Sequence, residues 1–333
     1  MHHVANQRPH RYARAVLLIS RGLQIFIITL LLLAGIPGLL GLLGAWAWWL
    51  DLAAHFRGQY AAALLLALGL AAAARHWRLA LAATLLLAPN LVMIARLGIA
   101  RSPHADDPPL HLAHFNLLSS NHQHAEVSAW IAGSGAALVS LQEIDERWAA
   151  VLADVPGYQL IHAMPRADNF GLALLARDDA ASLVGAVHSL QLAGMPALAV
   201  ELRHADSPLA LLSLHTLPPM SQPYTETRDA QLAAAATWAQ AQRAEGFAPV
   251  ILGDLNATHF SIALAPLIAA DLHDSLTAGS LWTAGSWPDL PWPLRIAIDH
   301  CWHDARLVSS ARTIGPALGS DHRPLLLDLR WAR

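Results

Sequence analysis

The first residues whose types and spacing could do chemistry lie in Val250-Ile251-Leu252-Gly253-Asp254-Leu255-Asn256. Three apolar residues read as a buried strand, and the glycine ends it. Asp254 and Asn256 stand two apart, so on an extended backbone both side chains point the same way. A carboxylate and a carboxamide held together at a strand end can orient a water molecule or help hold a divalent cation. By itself a Gly-Asp-x-Asn string is more often a turn, and its weight here comes from other stretches of the same kind. Leu112-Ala113-His114-Phe115 ends in Asn116, Leu138-Val139-Ser140-Leu141 in Gln142-Glu143, and Leu211-Leu212-Ser213-Leu214 in His215. Ile296-Ala297-Ile298 ends in Asp299-His300, and Gly319-Ser320 leads into Asp321-His322 before a last apolar run. Strand ends on one rim of a sheet converge in space, where ligand sites form. This rim would gather Asp, Glu, Asn and His, with almost no thiol. Such oxygen-rich sites select hard cations, Mg²⁺ above all and Mn²⁺ as an alternative. A hard cation, a carboxylate to orient water and histidines nearby are what phosphodiester hydrolysis requires.

Other motifs carry less. His111, His114, His122 and His124 fit no zinc spacing, and the single cysteine, Cys301, excludes an intrachain disulfide or a cysteine-based zinc site. Trp282, Trp287, Trp292 and Trp302 read as core or loop packing rather than as a base-stacking platform. No nucleophile elbow and no P-loop occurs.

The elements that must position these residues follow from short apolar runs. Strands are expected at 110–115, 137–141, 171–176, 197–202, 209–214, 250–252, 295–298 and 324–329, and helices at 125–132 and 227–244. Strands outnumber helices and often follow one another directly. That pattern predicts an α/β (α+β) domain of mixed sheets packed face to face with helices outside.

Composition divides the chain. Of 333 residues 55% are hydrophobic and 14% charged, with the apolar excess in the first hundred. All 21 basic residues are arginine, from which no function is drawn. Residues 1–22 form a basic tail. Residues 23–98 form a transmembrane region, with three spans expected at about 23–50, 58–74 and 79–95 and a polar loop at 51–59. Trp46, Trp48 and Trp49 suit an interfacial belt. A cleaved signal peptide fits poorly, because the first run is too long and two more follow. Arg8, Arg11, Arg14, Arg21, Arg75 and Arg78 outnumber Arg57, Arg96 and Arg101, which predicts a cytoplasmic N-terminus. The chain is then a multi-pass protein of the inner or plasma membrane, with everything after Arg101 periplasmic or otherwise extracytoplasmic. Residues 99–109, with three prolines, read as a linker, and 110–333 as the catalytic domain. From Ser102 onward 12 arginines face 23 acids, or −11 with histidine neutral. That balance disfavours tight non-specific duplex binding.

The ordered set Asn116, Gln142-Glu143, His215, Gly253-Asp254-Leu255-Asn256, Ile298-Asp299-His300 and Ser320-Asp321-His322-Arg323-Pro324 resembles the endonuclease/exonuclease/phosphatase superfamily, which is DNase I-like. Residues 168–177 and His215-Thr216-Leu217-Pro218-Pro219 look like its YafD-like bacterial branch with N-terminal membrane helices. The resemblance implies a four-layered α/β sandwich and a Mg²⁺-dependent hydrolase of phosphate esters. By the same resemblance Glu143 is the principal metal ligand, with Asn116 beside it and Asp321 in support. Asp254 orients or deprotonates the attacking water, and Asn256 holds that water or a phosphate oxygen. His322 contacts the scissile phosphate and is fixed by Asp299, while His215 is a phosphate ligand or the general acid. Asp168 and Asn169 are either polar loop residues or substrate contacts. The implied partners are a bilayer and a phosphodiester or phosphomonoester, from a nucleic acid or a lipid head group. A non-catalytic membrane scaffold that keeps the fold is the alternative. His259, Ser286 and Cys301-Trp302 depart from that branch without removing a catalytic position.

Overall fold

A computed structural model describes residues 8–98, 108–204 and 207–332. The expected linker therefore falls largely outside the described residues, as does the start of the basic tail. Two compact units divide between Ala95 and Arg96.

The first unit holds α1 (Arg8–Leu40), α2 (Trp48–Leu52), α3 (Arg57–Ala73) and α4 (Trp77–Ala95). Three stretches, Leu18–Leu43, Trp48–Ala73 and Trp77–Ala95, are long and apolar enough to cross a membrane. The loop expected at 51–59 is instead a succession of helical turns that runs into α3. Arg57 explains the difference. It is buried, and its guanidinium donates to the Gly38 carbonyl (3.2 Å) and to Asn90 Oδ1 (3.3 Å). Polar groups that looked like a loop lie inside a helix cluster, where a buried charge needs such partners.

The second unit is built from twelve strands. β1 (Leu110–Asn116), β2 (Leu138–Gln142), β3 (Tyr158–Met164), β4 (Leu172–Arg177), β11 (Leu307–Ile314) and β12 (Leu325–Trp331) form one sheet in the order β11-β12-β1-β2-β4-β3. β5 (Val184–Leu192), β6 (Met195–His204), β7 (Ser207–Leu214), β8 (Ala248–Asp254), β9 (Leu272–Asp274) and β10 (Asp299–Asp304) form the other, in the order β5-β6-β7-β8-β10-β9. Both sheets are mixed: β1–β2 and β7–β8 are parallel pairs, and the rest are antiparallel. One core lies between the sheets. A second packs the β7–β8 sheet on α7 (Gln222–Ala244) and α8 (Ala265–Ala269), and a third packs the β1–β2 sheet on α5 (His124–Gly133) and α6 (Glu146–Leu152). The result is the four-layered α/β sandwich that the resemblance implied.

Central strands feed two cores at once because alternate side chains face opposite ways. Leu110 and Leu112 of β1 lie between the sheets, whereas Ala113 and Phe115 face the helices. In β8, Val250 and Leu252 point inward and Ile251 points to α7.

One expected strand is displaced. Residues 295–298 make only an isolated bridge, Ile296 to Trp287, and the strand begins at Asp299. The six residues Asp-His-Cys-Trp-His-Asp of β10 look too polar for an interior strand, yet all are buried. Each charge has a partner: Asp304 binds Arg243 and Arg306, and His300 binds Asp274 and the Ala257 carbonyl. The apolar-run criterion also passed over β3, β5, β9, β11 and the short α6. Of these, β5 is only part-buried along its length, and β9 is three residues long.

Candidate active site

The polar residues sit where the inward faces of the strands reach one rim. Along β1 the face reads Leu110, Leu112, His114, Asn116, and along β2 it reads Leu138, Ser140, Gln142. Along β7 it runs Leu209, Leu211, Ser213 and then His215; along β8, Val250, Leu252, Asp254. Each face starts apolar in the shared core and turns polar toward the same end. β10 runs antiparallel to β8 and aligns Asp299 with Asp254, so its first residue, not its last, meets that rim. Halfway along, Ser140 and Ser213 bridge the two sheets through a buried 2.7 Å hydrogen bond.

Gln142 fastens the two sheets at the rim. Its Nε2 donates to the Leu214 carbonyl (2.9 Å), and its Oε1 accepts from Asp254 N (3.1 Å). This closeness requires glycine next door. A Cβ on Gly253 would lie 2.0 Å from the Leu214 carbonyl oxygen and 2.5 Å from Gln142 Nε2.

Asp254 is the hub. Its Oδ1 accepts from Asn256 N (2.9 Å), and its Oδ2 accepts from Asn116 Nδ2 (3.3 Å). The Nε2 atoms of His322 and His215 lie 3.5 Å and 3.6 Å from that same Oδ2. Asp299 grips His322 Nδ1 at 2.9 Å with one oxygen and His114 Nε2 at 2.9 Å with the other. Arg312 donates to the Asp299 carbonyl (2.8 Å) and to Ser275 Oγ (2.6 Å). Ser320 accepts from His322 N (3.0 Å) and donates to the Asn116 carbonyl (2.7 Å), which ties the His322 turn to β1.

Glu143 follows β2 in a left-handed backbone conformation, φ +62°, which turns its half-buried carboxylate to the rim. Non-glycine residues pay for that conformation and keep it where surroundings impose it. Its Oε2 accepts from Ser119 N (3.0 Å). Asn169 and Asn256 also have positive φ. Asn169 accepts from Ser119 Oγ (2.6 Å), so it joins the rim through Ser119. Asp168 does not: it is exposed and closes on Arg166. Asn256 spends its Nδ2 on the Thr216 carbonyl (2.9 Å). Asp321 is exposed and accepts from Trp287 Nε1 (2.9 Å).

Sequence reasoning missed His114, Arg312, Ser119 and Trp287 as parts of this arrangement. For His114 a signal existed, since it continues the period-two face Leu110, Leu112 toward Asn116. The four early histidines do not gather into one site: His111 pairs with Asp328, His114 with Asp299, and His124 lies edge-on to both His122 and Trp148. Trp302 is core, as expected, but Trp287 is a contact of the rim.

Electrostatics separates the groups. Burial pushes the Asp254 carboxyl up to about 7, against the pull of His322. Burial opposes a charge on Asp299, but His322 and His114 outweigh it and hold that carboxyl well below the usual range. Burial alone would lower His322; Asp299 and Asp254 outweigh it and raise the imidazole to about 10. His215, desolvated and facing His322, falls to about 3. At neutral pH the rim thus carries an imidazolium clamped by a carboxylate, a neutral imidazole and a carboxyl near its own titration point. Groups pushed apart in this way suit acid and base roles.

The donor set suits a hard cation. Burial raises the Glu143 carboxyl, against hydrogen bonds from Ser119 and Asn116 and the charge of His322, so a cation beside it would offset the remaining cost of burial. Among the described residues Asn116 Oδ1 accepts Leu118 N alone (3.1 Å), which leaves it a lone pair. Among the described residues no three His, Cys, Asp or Glu side chains converge as a metal group. Mg²⁺ binds through one or two carboxylates and keeps water and substrate oxygens as its other ligands, and Glu143 with Asn116 Oδ1 is a donor set of that kind.

The sequence matches the Endonuclease/Exonuclease/phosphatase family over residues 113–322, and the chain belongs to that family. No curated protein sequence matches it. Its fold is similar to that of a functionally unknown conserved protein from Enterococcus faecalis V583, with 17% identity and a TM-score of 0.55 over 66% of this chain and 99% of that one. The endonuclease/exonuclease/phosphatase from Bacteroides vulgatus gives 18% identity and 0.54 over 67% and 99%. D. rerio TDP2 complexed with single strand DNA product gives 14% and 0.54 over 67% and 100%. At such identities the likeness is one of fold.

Proposed function

We propose that this chain is a membrane-anchored, Mg²⁺-dependent phosphodiesterase whose catalytic domain lies outside the cytoplasm. The observation that carries this reading is the convergence on Asp254 Oδ2 of Asn116, His215 and an Asp299-clamped His322. Glu143 and Asn116 would hold the cation, with Asp321 at the edge of the site. When bound, that cation supplies Lewis-acid polarisation of the phosphoryl oxygens. Asp254, titrating near neutrality, accepts the proton of the attacking water. The water oxygen bonds to phosphorus, and the bond to the leaving oxygen breaks. The His322 imidazolium stabilises charge growing on the phosphoryl oxygens, and Asp299 keeps that ring oriented. Neutral His215 offers a hydrogen bond to the phosphate; a phosphate anion beside it would raise its proton affinity and let it serve the leaving group. Asn256 fixes the Asp254 carboxylate through its backbone N–H, and its side-chain oxygen remains for the water.

For topology, Arg57 lies inside the helix cluster, so it no longer counts as a loop charge. The arginine asymmetry that favours a cytoplasmic N-terminus grows accordingly.

The test is hydrolysis by the purified full chain of an activated phosphodiester, single- and double-stranded DNA, RNA and phospholipids, each with Mg²⁺ and with EDTA. Turnover that needs both Mg²⁺ and Asp254 is expected, with Asp254→Ala inactive. TDP2 holds a single-strand DNA product, so single-stranded DNA is the first nucleic acid to offer. Mg²⁺-independent turnover, or turnover indifferent to Asp254→Ala, would overturn the reading. A folded, Mg²⁺-binding chain inactive on every substrate would favour the scaffold alternative.

A further inference from the structure

Eight large apolar side chains are exposed among the described residues of 96–333, and four of them, Trp282, Leu290, Trp292 and Leu294, share one loop. Leu290-Pro291-Trp292-Pro293-Leu294 is exposed at every position, and Leu290, Trp292 and Leu294 are 47%, 52% and 54% open to solvent. Isolated exposed apolar residues need no explanation, but a contiguous patch marks an interaction surface. The segment is held in shape. Ile296 N donates to the Trp287 carbonyl (2.6 Å), Ser286 N to the Ile296 carbonyl (3.0 Å), and Trp292 Nε1 to the Trp282 carbonyl. The tip thus presents its apolar groups on a fixed backbone.

Three observations bear on what covers it. First, the tip has no charge: its nearest acid, Asp289, is bound to Arg323 (2.7 Å), and Arg295 follows directly. Tryptophan, leucine and proline without charge, flanked by arginine, suit the interfacial layer of a bilayer. Second, the base of the same loop is joined to the chain that leaves α4. Ala278 N donates to the Gly98 carbonyl (3.2 Å), and Gly98 is three residues past Ala95. Third, the loop is fastened to the rim: Trp287 Nε1 donates to Asp321 (2.9 Å), and Arg323 N donates to the Ser286 carbonyl (2.9 Å) on the far side of His322.

We propose that this loop seats in the lipid interface and presents the His322 rim to the phosphate group of a membrane lipid. The inference rests on the reading above, that the apolar helices cross a bilayer and the rim hydrolyses phosphate esters.

The experiment uses the full chain in nanodiscs of phosphatidylcholine and phosphatidylglycerol. An environment-sensitive fluorophore is attached at Leu290→Cys or, as a reference, at exposed Glu245→Cys just past the end of α7; native Cys301 is buried. Doxyl-labelled lipids should quench the label at 290 several-fold more than that at 245. Equal quenching at both positions would overturn docking. So would protection at 290 that follows protein concentration or added oligonucleotide rather than lipid. In a second arm, the combined Leu290→Ser, Trp292→Ser and Leu294→Ser variant should lose tenfold or more of its turnover on bilayer phospholipid and keep its turnover of a soluble phosphodiester. Equal loss on both substrates would overturn the presenting role. If the unaltered chain turned over neither substrate, the hydrolase reading would fail, and quenching would still decide whether the loop docks.

Discussion

At the scale of residues, the rim is a set of charges held in unequal states by burial. Asp254 titrates near 7 and His322 near 10. If Asp254 must be ionised and His322 protonated, kcat/KM should rise with pH through about 7 and fall again through about 10. A cation on Glu143 would move the rising limb lower, so the limb should shift with Mg²⁺ concentration. A pH–rate series at two Mg²⁺ concentrations checks both statements, and a flat profile would remove Asp254 as the base. Asp299 serves two histidines, at 2.9 Å each. Asp299→Asn should lower turnover by roughly 10²–10⁴, the range for a positioned acid or base. Near-UV circular dichroism alongside the assay would separate misfolding from loss of orientation.

At the scale of elements, two sheets are fastened at the rim by groups that tolerate little change. A Cβ on Gly253 would meet the Leu214 carbonyl at 2.0 Å. Gly253→Ala should therefore destabilise by about 1–3 kcal/mol through overpacking and lower Tm in a thermal melt. An unchanged Tm would mean that β7 and β8 can separate freely. Ser140 and Ser213 share one buried hydrogen bond. Either single Ser→Ala change should cost about 1–3 kcal/mol, because it leaves a buried hydroxyl unpaired. The double change should cost less than the sum, which a double-mutant cycle in urea would measure.

At the scale of the whole molecule, two units share one chain, and the arginine asymmetry sets the expected topology. A periplasm-active reporter fused after Arg333 should be active, and a cytoplasm-active one silent. The reverse result would invert the topology and place the rim inside the cell.

Much of the candidate site was legible because chemistry recurs at strand ends. Asn116, Glu143, His215, Asp254 and His322 each stand just beyond or just before an apolar run, and period two sets which side they face. The sandwich was legible for the same reason, since alternating apolar positions require a core on each side of a sheet. Other features depended on which chain segments meet. Asp299 looked like the end of a strand and is the start of one, because β10 keeps polar residues inside by pairing each with a distant partner. His114 lies 185 residues from Asp299, and only the packing of one sheet on the other joins them. The Asp51–Gln59 stretch read as a loop because its charges seemed to need water; Arg57 instead turns inward and donates through one nitrogen to Gly38 and Asn90. The sequence by itself determined which groups are present, their period along each strand and the apolar helices before them. The tertiary structure alone decided which carboxylate faces which histidine, because burial and pairing between distant segments set both geometry and charge.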